Sequence, residues 1–271
     1  MFLVYFGGFP SDLALYLKET DWHQITMLSK SGPRFVFALT LSCMVAVATS
    51  RAVETLSQPS MVRTTFQNFC SGQQVAKRGT LAEIRYAGNT GLENNYGCNL
   101  MLVDDSIAHQ YRYTINMTNS ASTSQSCVCW LKVGPSGKVN GFTKGNQVLD
   151  FTLPLRGHRI LATAEDTIGG CSCSQGAMKL SPNNLFGSTW LEFTLGPKFG
   201  LSAADASCIV AAQSGFDIAG LQVCSPETCS TVQPGGSGEN AYLAGMEHLD
   251  GIGVTIPPGK VRLTAVFGYQ G

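Results

Sequence analysis

Charge is what this sequence has least of. Only 13% of its 271 residues are Asp, Glu, Lys or Arg, with acids and bases balanced at 18 each. Soluble domains average nearer about 25%. A neutral chain gives nucleic acid or an anionic membrane no electrostatic footing, so neither is expected as a partner. His109, His158 and His248 share no motif. "GPSGKVNG", 134 to 141, carries one lysine, lacks a phosphate-loop pattern and reads as a hairpin loop. No histidine stands beside "CVC" or "CSC", and C-x-C is tighter than zinc-knuckle spacing, so no metal and no cofactor is expected. No internal repeat is present. The one extended apolar run, the fourteen residues from Phe35 to Ala48, is too short to span a bilayer comfortably.

That run has another use. "MLSKSGPRFVFALTLSCMVAVATSRA" starts at Met27, places Lys30 and Arg34 ahead of the apolar stretch and ends it in "AVA". This is the layout of a secretory signal peptide, residues 27–48, cleaved after Ala48 or Ala52. Residues 1–26 lie upstream of that start and read as an extension outside the fold. The mature chain is therefore expected outside the cell, free of membrane and monomeric.

Cysteine usage agrees with an oxidising compartment. Beyond Cys43 there are nine: Cys70, Cys98, Cys127, Cys129, Cys171, Cys173, Cys208, Cys224 and Cys229. Residues i and i+2 of a strand face the same way, so the 127/129 pair is expected to bridge to the 171/173 pair, the individual partners left open. Cys224 and Cys229 are expected to bridge each other across "SPET". Cys70 and Cys98 complete the bridged set with partners unassigned. Cys208, inside apolar "SCIVAA", is the expected free thiol.

Periodicity reads β almost throughout. In "HQYRYTINMT" His109, Tyr111, Tyr113, Ile115 and Met117 point one way, and His109 reads as a packed residue among aromatics. Asn116 lies on the opposite, polar face within the glycosylation sequon Asn-Met-Thr. "QVLDFTLPLRG" aligns Leu149, Phe151, Leu153 and Leu155, and "KVRLTAVFGYQG" aligns Val261 through Tyr269. Turn signals at 134–141, 168–170, 181–184, 233–238 and 257–259 space these runs as in a sandwich or barrel. "SAADASCIVAAQSG" permits either a strand or a short helix. Residues 49–84 are polar and poorly periodic, a leader ahead of one domain at 85–271.

Several blocks in order carry a resemblance over residues 85–271: "YAGNTG", "YGCNLMLV", "YRYTINMTN", "GPSGKVNGF", "STWLEF", "AADASCIVAAQSGFDIAGLQVC" and "DGIGVTIPPGKVRLTAVFGY". They resemble the secreted fungal family typified by the fourth allergen described from Aspergillus. A second likeness lies in "TWLEFTL", "DASCIV" and "GFDI", which look like the thaumatin-like pattern. That resemblance implies an all-β, thaumatin-like β-sandwich with disulfide-stapled loops. It implies an acidic cleft credited with β-1,3-glucan binding, and in some members with weak glucanase activity. Glu192 matches the cleft glutamate and Asp205 its first aspartate. The second aspartate is replaced, since Ser214 stands before Gly215.

The chemistry then turns on Glu192 and Asp205. Glycoside hydrolysis needs one carboxyl kept protonated and a second kept ionised, about 5 to 9.5 Å apart. Glu192, among Trp190, Leu191 and Phe193, suits the protonated acid, and Asp205, among small residues, a solvated carboxylate. The alternative is structural, with Glu192 paired to Lys198 and Asp205 capping a turn. On the cleft reading the two acids sit on neighbouring strands joined by "GPKFGLSA", and both aim outward onto a concave face. Glu165 and Asp166 would add an acidic rim, and Trp130, Trp190, Tyr111, Tyr113 and Tyr242 are candidates to stack on sugar rings. Three functions are in view: a non-catalytic binder of cell-wall polysaccharide or a host surface, a weak endo-β-1,3-glucanase, and a disulfide-hardened effector or toxin-like protein.

Overall fold

The computed structural model describes residues 60–72 and 81–271; the signal peptide, its cleavage sites and the upstream extension lie outside the described residues. Two β-sheets face each other. The larger has eight strands, taken in spatial order: β1 (Val62–Arg63), β4 (Leu100–Val103), β8 (His158–Thr163), β5 (Tyr113–Asn119), β16 (Val261–Phe267), β12 (Leu221–Cys224), β13 (Cys229–Val232) and β14 (Gly238–Glu239). The smaller has six: β15 (Val254–Ile256), β11 (Ser202–Ser207), β10 (Trp190–Leu195), β9 (Thr167–Gln175), β6 (Gln125–Leu131) and β7 (Leu149–Leu153). A short hairpin, β2 (Gly91–Leu92) with β3 (Asn95–Tyr96), stands apart. Helices are minor: α1 (Leu81–Ala87), α2 (Asp105–Ala108) and α3 (Ile209–Gln213). None of the described helices is long and apolar enough to cross a membrane.

The main core fills the space between the sheets. Tyr113, Ile115 and Met117 of β5 and Val261, Leu263, Ala265 and Phe267 of β16 project into it from one side. Leu191, Phe193 and Leu195 of β10 and Cys127, Cys129 and Leu131 of β6 meet them from the other. Alternation in the sequence thus becomes a sandwich interior. Apolar burial on this scale is the principal stabilising contribution, about 25 cal/mol per Å² removed from water.

Four disulfides staple the described residues: Cys70–Cys98, Cys127–Cys173, Cys129–Cys171 and Cys224–Cys229. The antiparallel register of β6 with β9 sets Cys127 opposite Cys173 and Cys129 opposite Cys171, which decides the partners that spacing leaves open. Cys208 is buried and free. Cys70–Cys98, together with β1 paired in parallel to β4, ties part of the polar leader into the larger sheet.

Some boundaries differ from the sequence reading. The strand expected from His109 begins only at Tyr113, because Asp104 caps α2 by accepting a hydrogen bond from the Ser106 N–H, and His109 ends that helix exposed to solvent. Leu155 leaves the row of Leu149, Phe151 and Leu153, since the chain turns at Pro154 and exposes it. "SAADASCIVAAQSG" is both candidates in succession, strand β11 and then helix α3.

Candidate functional site

In β10, alternation sends Leu191, Phe193 and Leu195 inward and leaves Trp190, Glu192 and Thr194 on the outer face of the six-stranded sheet. In β11 it sends Ala204 and Ala206 inward and leaves Asp205 with Ala203 and Ser207 outside. The antiparallel register places Glu192 directly opposite Asp205. Directly opposed residues have Cβ atoms about 5 Å apart. The 3-10 turn Pro197–Phe199 lies in the connection between the two strands.

This outer face is not open. Glu192 and Asp205 are each 3% exposed. On one side of the pair, Gly170 stands opposite Glu192, and Trp130 stands opposite Gly170. The missing side chain at 170 makes room for that indole: a Cβ there would lie 2.9 Å from the Trp130 ring and 2.8 Å from the Leu191 carbonyl. On the other side, Gly253 approaches so closely that a Cβ would meet the Asp205 Cβ at 2.7 Å. Tyr242 is buried nearby, its hydroxyl accepting the Ile252 N–H at 3.3 Å. Burial pushes the pKa of that hydroxyl up, and the neighbouring Asp205, Asp250 and Glu192 push it further.

Burial also dominates the acids. It pushes the Glu192 carboxyl up to about 8. Asp205 is held well above the carboxylate range, first by burial and then by the charge of Glu192. Two like charges face to face in a poorly solvated site cannot both ionise cheaply, so each acid holds its proton above the ordinary carboxylate range. At 3% exposure Asp205 is not the solvated carboxylate its small neighbours suggest. Its small neighbours bring strands and Gly253 close instead of admitting water. Among the described residues Glu192 Oε2 and Asp205 Oδ1 have no hydrogen-bond partner, and neither do two more buried atoms on the same face, Thr194 Oγ1 and Trp130 Nε1. A neutral carboxyl pair can donate and accept hydrogen bonds.

The remaining candidates fall elsewhere. Lys198, the alternative partner for Glu192, lies 3.5 Å from Asp166. Asp166 is buried, takes a left-handed φ of 60° and accepts the Lys198 backbone N–H at 3.1 Å. Glu165 pairs at the surface with Arg112 at 2.7 Å. Asp166 sits four residues along from Gly170, the cross-strand neighbour of Glu192, or about 13 Å at strand rise. Glu165 and Asp166 are therefore engaged in local contacts away from the central pair and do not form a rim around it. Asn116 is half-buried on central strand β5, opposite Ile160 and Thr264, with no partner for its Oδ1 among the described residues.

The aromatic candidates are all interior, which corrects their reading as sugar platforms. Trp130, Trp190, Tyr111, Tyr113 and Tyr242 are each 3% exposed or less. Trp190 donates its indole N–H to the Phe186 carbonyl at 2.7 Å and meets the Trp130 ring edge-on at 4.9 Å. Both belong to a second core on the outer face of the six-stranded sheet, with Val128, Phe142, Ile168, Leu185, Phe186 and Val210. The signal for it was in the sequence: "CVCWL" is apolar on both faces, the mark of a strand covered twice. Among the described residues no group of three or more His, Cys, Asp or Glu is arranged to hold a metal.

Comparison with known proteins adds a family. Residues 98–267 match the Allergen Asp f 4-like domain. The Allergen Asp f 4 of Aspergillus fumigatus is 30% identical over 195 residues, covering 69% of this chain and 59% of that protein. The chain thus spans 59% of the length of the curated relative it matches. Among solved structures, the protein elicitor MoHrip2 from Magnaporthe oryzae aligns with a TM-score of 0.35 at 8% identity, over 58% of this chain and 98% of that one. The thaumatin-like xylanase inhibitor TLXI aligns with a TM-score of 0.33 at 11% identity, over 56% and 97%.

Proposed function

This chain belongs to the Allergen Asp f 4-like family, and we propose that it is a secreted, non-catalytic β-sandwich that binds neutral cell-wall polysaccharide, β-1,3-glucan first. Four disulfides among the described residues suit life in an oxidising space. The observation that carries the binding reading is the Glu192–Asp205 pair, opposed on one face, held neutral and left with an unpaired oxygen on each acid. Buried polar atoms without partners are costly to leave so. With each acid closed over at 3% exposure, a hydroxyl-rich, uncharged ligand reaches them only where the covering segments open, and there satisfies both as donor and as acceptor. The same neutrality argues against a glucanase, because neither acid supplies the ionised carboxylate.

The test is co-sedimentation of the secreted protein with insoluble β-1,3-glucan, chitin and cellulose, with a reducing-sugar assay on the same samples. The expected result is retention on glucan without sugar release, weakened in Glu192→Ala. Sugar release that disappears in Glu192→Gln supports the glucanase instead. Failure to sediment with any of the three removes the binding reading, leaving a host-surface partner or a disulfide-hardened effector.

A further inference from the structure

A cleft of about 910 Å³ opens at one end of the sandwich, away from the acid pair, where β5 and β16 finish and the β7–β8 turn crosses them. Its lining is polar and nearly uncharged: Thr118, Ser120, Ser122, Gln175 and Gln270 contribute hydroxyls and amides, and Arg156 is the one charged residue. Leu155 and Val266 add a small apolar patch.

The rim is built. Asn119, buried at the base, donates to the carbonyls of Thr123, Leu153 and Pro154 at 2.9, 3.1 and 3.0 Å. Its Oδ1 accepts the Ala121 N–H at 2.9 Å and the Gln125 side-chain N–H at 2.7 Å. Three segments are thereby fixed to one another: the loop after β5, the end of β7 and the turn that carries Arg156. In that turn the Gly157 N–H bonds the Pro154 carbonyl at 2.9 Å, leaving Arg156 at the third position with a φ of 54°. A turn of this kind asks for glycine there. An arginine instead holds a strained backbone, and its guanidinium makes no hydrogen bond or ion pair with any described residue. Strain of this sort persists where surrounding structure over-determines it.

We propose that this cleft binds a carboxylate-bearing saccharide, a uronate unit of a longer glycan. The volume lies within the range of small-ligand sites. Hydroxyl and amide groups match the hydroxyls of a sugar ring, the apolar patch matches its C–H face, and the guanidinium fork matches a carboxylate bidentately. With no acid in the lining, nothing opposes an anionic ligand. The site is independent of Glu192 and Asp205, so its success or failure leaves the glucan reading to its own test.

Trigalacturonate, neutral maltotriose and inorganic sulfate are titrated into the secreted protein by calorimetry at low salt. Trigalacturonate binds at least tenfold tighter than either control, Arg156→Lys weakens it and Arg156→Gly abolishes it. Arg156→Gly relieves the left-handed strain, so its melting temperature stays level or rises, and its loss of binding is not a folding defect. Glu192→Gln leaves trigalacturonate affinity unchanged. Equal affinity for maltotriose or sulfate, no trigalacturonate binding at millimolar concentration, or full binding in Arg156→Gly overturns the proposal.

Discussion

Replacing Glu192 by Gln should make the protein more stable at neutral pH and flatten its dependence on pH. Burial carries the folded-state titration of Glu192 from 4.5 to about 8. A raised acid means the folded state keeps a proton that the unfolded chain releases. The associated stability is fully present below about pH 4.5 and is lost as pH climbs toward 8, at about 1.4 kcal/mol per pH unit. Asp205, shifted in the same direction, adds to the slope. At pH 7 the wild type has lost on the order of 3 kcal/mol through Glu192 alone, a ceiling because partial opening can hydrate the pair. Glutamine has nearly the same shape and cannot ionise. Urea melts with disulfides intact, followed by tryptophan fluorescence at each pH from 4 to 8, should therefore converge at pH 4. They should diverge by up to about 3 kcal/mol in favour of Glu192→Gln at pH 7. Parallel pH profiles for the two proteins, or a variant less stable at pH 7 than at pH 4 by as much as the wild type, would refute the reasoning.

Other outcomes follow from single contacts. Gly170→Ala drives a Cβ into the Trp130 ring and the Leu191 carbonyl, and should cost about 1 to 3 kcal/mol by chemical denaturation. Trp190→Phe leaves the buried Phe186 carbonyl without its donor, and should cost about 1 to 3 kcal/mol in the same assay. Removing both Cys127–Cys173 and Cys129–Cys171 by Ala substitution opens a loop with a sequence separation of 46, and should cost about 4 kcal/mol or more. Removing Cys224–Cys229, separated by 5, should cost nearer about 2 kcal/mol. Cys208, buried and free, should resist a thiol reagent in the folded protein and react at once in denaturant.

The opposition of Glu192 and Asp205 was legible because strand alternation and the length of the connecting segment constrain it locally. Their burial was not. It goes with a second core on the same outer sheet face, to which the segments around Phe142, around Leu185 and Phe186, and helix α3 contribute. The same covering turned Trp130 and Trp190 from apparent surface aromatics into interior ones. Asp205 misled for a related reason: Ala204 and Ala206 are small, which suggests solvent in a sequence but permits close strand approach in a sheet. Strand spacing gave the two C-x-C pairs a common face, whereas their partners needed the β6–β9 register. The left-handed Arg156 carried no signal at all, since "PLRG" reads only as a turn.

The central claim is that Glu192 and Asp205 are a shared neutral pair, and the most direct measurement is a carboxyl-carbon NMR titration of both side chains from pH 3 to 9. The expected result is that both carboxyls titrate above the ordinary carboxylate range and respond to each other, Asp205 shifting downward in Glu192→Gln. A carboxyl at either position titrating independently near pH 4 would contradict it and restore the ionised acid that a glucanase needs.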